Sequence, residues 1–264
     1  MSEVFVERLS SVFPLGLAER AALMKLCWRG RSVKAKCHIA RYGERRSAFP
    51  VILSGWAARS HLLRDGSRQI TGILVPGDVC HHDAEPGQSA RDEIVALSPC
   101  RVAWIDLGEL EQVTATYPAI AAAFRIYARL EKSILSEWIV NIGRRDALAR
   151  TAHFICEVWT RLRIVDPATR EQFDFPITQE DMADVLGLTP VHINRKLQQL
   201  RQDGLIELQS RRLTILDEFA LADIAGFDKA YLDPRLPSEE WIAAAPWARP
   251  VEARASGMIL VQSA

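Results

Sequence analysis

The spacing of apolar and polar positions changes character along the chain. Val4 to Leu9 and Leu17 to Leu26 carry apolar residues at helical spacing, and the breaker Pro14-Leu15-Gly16 separates them, so two short amphipathic helices are expected. From about Arg31 to Asp106 the pattern becomes short apolar runs cut by turns. Val51-Ile52-Leu53 stops at Ser54-Gly55, Ala57 to Leu63 stops at Asp65-Gly66, and Gln69 to Val75 stops at Pro76-Gly77-Asp78. Glu93 to Leu97 and Arg101 to Ile105 flank Ser98-Pro99. An Asp-Gly pair between two extended runs signals a hairpin, and several short strands with regular turns predict an antiparallel sandwich or barrel.

Helical spacing returns at Pro118 and runs to about Gly143 without an internal Pro or Gly. Ile120, Phe124, Tyr127, Leu130, Ile134, Trp138 and Ile142 recur at three- and four-residue steps, with Arg125, Arg129, Lys132 and Glu137 off the stripe. Such a helix carries more apolar surface than a small barrel covers. Phe124, Tyr127, Leu130, Ile134 and Trp138 are therefore expected at a dimer interface, the plainer alternative being a helix packed on its own domain. A further helix is expected from Asp146 to Leu162. The segment Asp166-Pro167-Ala168-Thr169 reads as a loop, and the tail beyond Tyr231, with Trp241 and Trp247, shows no clear period.

The most informative segment lies between Pro176 and Leu197. Thr178 is a good N-cap, Asp181 sits in the first turn where the helix dipole favours an acid, and Met182, Val185 and Leu186 give that helix a buried side. Gly187 ends it in the left-handed conformation. Thr189 caps the next helix, with Pro190 in its first position and Ile193, Leu197 and Leu200 as its buried stripe. Two short helices joined by a Gly-containing turn of this length make a helix-turn-helix. Val191, His192, Asn194, Arg195 and Gln198 project from the second helix and match what base edges offer, while Lys196 and Arg201 are placed for phosphates. Leu205 to Leu208 and Leu213 to Leu216 form a two-stranded wing with Arg211 and Arg212 at its tip. The winged motif spans roughly Phe173 to Asp217 and reads as a binder of double-stranded DNA.

Composition refines this picture. The 264 residues are 48% hydrophobic and 25% charged, with 33 basic against 33 acidic side chains. A neutral chain excludes a wholly basic nucleic-acid coat, but between Thr189 and Leu216 the basic residues Arg195, Lys196, Arg201, Arg211 and Arg212 face only Asp203 and Glu207. The start, with Glu3 and Glu7, lacks the basic and apolar regions of a signal peptide, and no apolar run approaches the roughly 20 residues that span a bilayer. Five scattered cysteines (Cys27, Cys37, Cys80, Cys100, Cys156) without a Cys-x-x-Cys pair read as reduced thiols. A cytoplasmic protein with no membrane partner is expected.

These residues resemble the Crp/Fnr transcription regulators over about residues 1 to 230. Gly187-Leu188-Thr189, Arg195-x-Leu197 and Gly204-Leu205-Ile206 are similar to the family's DNA-binding core, and Leu53-x-Gly55 and Pro76-Gly77-Asp78 to turns of its cyclic-nucleotide-binding β-roll. The resemblance implies an α+β fold: an antiparallel β-roll sensor at 1–117, a dimerisation helix at 118–143, a winged helix-turn-helix at 144–230 and a tail, 231–264, without assigned role. It implies a homodimer on palindromic DNA, and contact with RNA polymerase. The DNA-binding residues expected are Thr178, Thr189, Val191, His192, Asn194, Arg195, Lys196, Gln198, Arg211 and Arg212.

The chain departs from the family pattern in three places. Where the family's recognition helix carries a Glu that reads cytosine, this chain has Val191. Where nucleotide-binding members have Gly-Glu for the ribose and Arg-Ser or Arg-Ala for the phosphate, it has Cys80-His81-His82-Asp83 and an Arg91 followed by Asp92 and Glu93. Two acids there oppose a cyclic phosphate, so cyclic AMP is disfavoured. No cysteine precedes Cys27, which disfavours an iron–sulfur cluster. Cys80 to Asp83, with His38 and His61, have the chemistry of metal ligands, yet neighbours on an extended segment point to opposite faces, so no metal is assigned. A cyclic-nucleotide-gated activator and a metal, haem or redox sensor stay as alternatives. An enzyme would need a second histidine–carboxylate motif, and the expectation is that the protein is not one.

Overall fold

The computed structural model describes residues 3–45, 47–80, 89–166 and 169–233. His81, His82 and Asp83 of the histidine run, and Trp241 and Trp247 of the tail, lie outside the described residues. Two helices, α1 (Glu3–Val12) and α2 (Leu17–Leu26), precede strands β1 (Arg31–Val33), β2 (His38–Ala40), β3 (Ala48–Ser54), β4 (Ala57–Leu62), β5 (Arg68–Leu74), β6 (Glu93–Ala96) and β7 (Cys100–Asp106). They form a three-stranded sheet, β1-β7-β3, and a four-stranded sheet, β2-β6-β4-β5, antiparallel throughout. The turn between β4 and β5 is closed by the Asp65 carboxylate, which accepts from the Ser67 amide and hydroxyl.

The helix after β7 was not expected. α3 (Leu107–Thr116) starts where the Asp106 side chain accepts from the Glu109 amide. The aspartate-plus-glutamate cap is the signal that reading β7 straight into the next helix passed over. Behind it run α4 (Pro118–Arg144) and α5 (Ala147–Val165). The last of these is capped by Asp146, whose carboxylate accepts from the Leu148 and Ala149 amides.

A buried carboxylate joins these parts. Asp78, 2% exposed in the Pro76-Gly77-Asp78 turn, accepts from its own turn's Val75 amide at 2.8 Å and pairs with Arg161 of α5 at 2.6 Å and Arg8 of α1 at 3.1 Å. The Tyr127 hydroxyl of α4 donates to it at 3.4 Å. Burial opposes the charge on Arg161, but Asp78 and Glu157 more than offset this, so its pKa is raised. Gly77 (φ +90) lets the turn approach α1: a Cβ there would sit 2.7 Å from the Val4 carbonyl oxygen.

From Ile120 to Trp138 the apolar stripe of α4 faces inward, which corrects the dimer-interface expectation; only Ile142, at its end, is exposed. Tyr127, Leu130, Ile134 and Trp138 are 1%, 6%, 7% and 6% exposed in the single chain. Phe124 packs on Phe5 and Phe49, and the Trp138 indole donates to both Glu157 oxygens. These five side chains belong to the protomer's own core, because α1, α5 and the β-roll cover more of α4 than strands alone could. The exposed apolar positions of α4 are instead Leu135, Ile139, Val140 and Ile142.

The β-roll also grips the C-terminal half. Arg68 of β5 bonds Asp184 through Nε at 2.8 Å and Asp181 through Nη2 at 2.7 Å, and the Gln69 amide donates to the Asp184 carbonyl at 2.6 Å. Both acids lie on helix α6 (Gln179–Leu186).

Replacing Asp78 by Ala leaves Arg8 without its carboxylate and Arg161 with Glu157 alone. A loss of about 3–5 kcal/mol is expected, since a buried ion pair costs that much when one partner is removed. Urea titration of the variant checks it; a midpoint near that of the unmodified protein would show that the Asp78 pairing adds little.

Candidate nucleic-acid interface

The C-terminal half follows its capping chemistry. Thr178 and Asp181 make a reciprocal capping box: the Thr178 hydroxyl accepts from the Asp181 amide, and the Asp181 carboxylate accepts from the Thr178 amide. Gly187 (φ +61) then ends α6 in the left-handed conformation, and a Cβ there would meet only Ile142 at 3.7 Å, so the glycine serves backbone shape rather than space. Thr189 accepts from the His192 amide at 3.3 Å and opens α7 (Pro190–Gln202) with Pro190 at its first position. Ile193, Leu197 and Leu200 are 0%, 4% and 0% exposed, which leaves the opposite face to solvent.

On that face lie Val191, His192, Arg195 and Gln198, all exposed. Asn194 is half-buried, and its amide donates to Gln179 Oε1 at 3.2 Å, across the two helices of the motif. Lys196 is also half-buried: its ammonium donates to Gln199. The Asp146 carboxyl lies below its usual range chiefly through the Ala149 and Leu148 amides, with Lys196 adding to the effect. Lys196 thus stands at the edge of the face rather than on it. Thr178 and Thr189 are exposed and hold the two helix starts.

The wing has three strands, not the two read from sequence: β8 (Gln172–Asp174), β9 (Ile206–Gln209) and β10 (Arg212–Ile215) pair in the order β8-β10-β9. β8 was missed because three residues, with only Phe173 buried, are too few to show a period. At the tip, Ser210 (φ 51) and Arg211 (φ 63) both take left-handed backbone, the shape of a tight hairpin that favours Gly or Asn. Arg211 and Arg212 are exposed, and Arg212 lies 3.5 Å from the solvent-exposed Asp174. Helix α8 (Glu218–Ala225), capped by Asp217, follows and was not foreseen.

Inside the β-roll, the basic group facing α4 is already matched. Arg59, 9% exposed, lies 3.3 Å from Glu131 of α4 and 3.8 Å from Asp92. Glu93 accepts from Ser60 and faces His38 at 3.7 Å, while Arg91 is exposed. Outside the β-roll, between the Asp78 turn and helices α1, α4 and α5, the cavity bordered by Asp78, Tyr127, Glu131 and Arg161 measures about 10 Å³, room for about one water. Burial pushes the thiols of Cys27 and Cys156 up to about 12 and that of Cys100 up to about 11, and burial with the nearby Asp78 carboxylate raises that of Cys80 well above its ordinary value. Cys37 is exposed. Among the described residues, no three His, Cys, Asp or Glu side chains are grouped to hold a metal.

Comparison with known proteins places two matches on this architecture. A family model for a Crp-like helix-turn-helix domain matches residues 149–224, and one for a cyclic nucleotide-binding domain matches residues 30–117. The transcriptional activator protein FnrL of Cereibacter sphaeroides is 27% identical over 203 residues, 75% of this chain and 81% of the relative. The nitrogen fixation regulation protein FixK of Azorhizobium caulinodans is 29% identical over 172 residues, 65% of this chain and 68% of the relative. The solved structure of FixK2 from Bradyrhizobium japonicum has the same fold, with a TM-score of 0.67 and 24% identity over 75% of this chain and 98% of that one.

Backbone strain at the interface gives two substitutions of opposite sign. Gly187→Ala should lower stability by about 1–2 kcal/mol, and Arg211→Gly should raise it by about 1 kcal/mol while weakening DNA binding. Denaturant midpoints at unchanged slope, read beside an anisotropy titration with DNA, check both; a destabilised Arg211→Gly would count against strain at the tip.

Proposed function

Because this chain belongs to the Crp/Fnr family of transcription regulators, we propose that it acts as a homodimer on an inverted repeat, with α7 of each protomer in successive major grooves. The observation that carries this is the exposed polar face of α7, set by two capped helix starts and backed by a basic wing tip. In this reading residues 1–117 form the sensor, 118–143 the dimerisation helix and 144–230 the DNA-reading part. Arg195 reads a guanine through its paired donors, His192 and Gln198 approach neighbouring bases, and Arg201, Arg211 and Arg212 neutralise phosphates. Phosphate contacts supply affinity and position, and base contacts supply specificity.

The dimer contact falls on the outer face of α4, where Leu135, Ile139, Val140 and Ile142 stand exposed. Family relatedness supports the dimer and contact with RNA polymerase. Asp92 and Glu93 beside Arg91 support a signal other than cyclic AMP. DNA binding supports a cytoplasmic location, and among the described residues no helix is long and apolar enough to cross a membrane.

Two measurements test this reading. Ile139→Asp should yield a folded monomer by sedimentation, because a carboxylate in a dimer seam costs several kcal/mol. Ile134→Asp, in the protomer's core, should instead lose the folded circular-dichroism signal. A dimeric Ile139→Asp would move the interface elsewhere.

Selection of bound sequences at two salt concentrations separates the arginines. Arg195→Ala should cost about 1–3 kcal/mol per half-site and relax one symmetric base pair. Arg212→Ala should weaken all sequences alike and lower the salt slope by about one unit per subunit. Base preferences left intact by Arg195→Ala would refute its role.

A further inference from the structure

Val191 is the second residue of α7 and is 60% exposed, an apolar side chain on a face otherwise made of His192, Arg195 and Gln198. It does nothing for the fold, since the helix is anchored by Ile193, Leu197 and Leu200 on the other side. Its position is well defined. Pro190 precedes it, the Thr189 cap fixes the first turn, and a β-branched side chain in a helix is nearly confined to one rotamer. Val191 is therefore a stiff apolar knob at the end of the helix that enters the groove.

The major-groove edges of the four bases present donors and acceptors, with one apolar exception, the C5 methyl of thymine. Against a cytosine amino group or a guanine oxygen, Val191 would strip water from a polar atom and return no hydrogen bond. Asn194 is no substitute reader, because its amide is engaged by Gln179 within the hairpin. Val191 and Arg195 are four residues apart on one face, about 6 Å along the axis, which is one or two base-pair steps.

We propose that Val191 reads a thymine methyl, so that each half-site requires thymine one or two base pairs from the guanine bound by Arg195. This rests on the assignment of α7 as the DNA-reading helix. The test uses the full-length protein and its selected operator, with each half-site thymine replaced singly by deoxyuridine, which pairs identically and lacks the methyl. At one symmetric position the replacement should weaken the wild type about fourfold per half-site, the worth of one buried carbon. Val191→Ala should be insensitive to the same replacement, and Val191→Glu should change the preferred base there from thymine to cytosine.

Equal sensitivity of wild type and Val191→Ala at every thymine would overturn the proposal, as would a Val191→Glu variant that still selects thymine. If Arg195→Ala relaxes specificity in the same assay, the DNA-reading assignment survives that result. A protein with no base preference at all would defeat both.

Discussion

Asp78 is a buried charge that four segments must satisfy together. Its carboxylate takes the Val75 amide from its own turn, guanidinium groups from α1 and α5, and the Tyr127 hydroxyl from α4. An ionised group out of water is tolerated only where such partners converge, so the pairing is directional in a way that apolar packing is not. It joins both long helices and α1 to the β-roll at one point. Arg161 carries the network on to Glu157, which also takes the Trp138 indole and the Tyr231 hydroxyl. Tyr127, Leu130, Ile134 and Trp138 of α4 are buried within the protomer beside this network.

The same economy of charge shapes the two ends of the molecule. In the β-roll, the buried Arg59 meets Glu131 of α4 and Asp92, so that cation is neutralised internally. In the helix-turn-helix Arg195, Arg201 and Arg211 are exposed, and the zero net charge of the chain hides an uneven distribution, since the segment from Thr189 to Leu216 carries Arg195, Lys196, Arg201, Arg211 and Arg212 against Asp203 and Glu207. Between the ends, Arg68 bridges Asp181 and Asp184 and ties the β4–β5 hairpin to the first helix of the reading head. The β-roll and the helix-turn-helix thus share a polar contact.

What the sequence by itself determined was local. The caps at Thr178 and Thr189, the stop at Gly187 and the stripe of Ile193, Leu197 and Leu200 act within a few residues, so the helix-turn-helix was legible with its exposed face. Strands β3 to β7 were legible for the same reason, each ending at its own turn, whereas β1 and β2, of three residues each, were too short to show a period. Only tertiary structure decided which side of α4 meets its own core, because periodicity gives the spacing of apolar residues and not their partner. A 27-residue helix with Tyr127, Ile134 and Trp138 on one side and Leu135, Ile139 and Ile142 on another presents two apolar faces, and α1 and α5 choose between them. The Asp78 network, the Arg68 bridge across 113 and 116 residues, and the three-residue strand β8 depend on contacts far apart in the chain. No local spacing encodes a long-range ion pair, since its energy exists only once burial has brought the partners together.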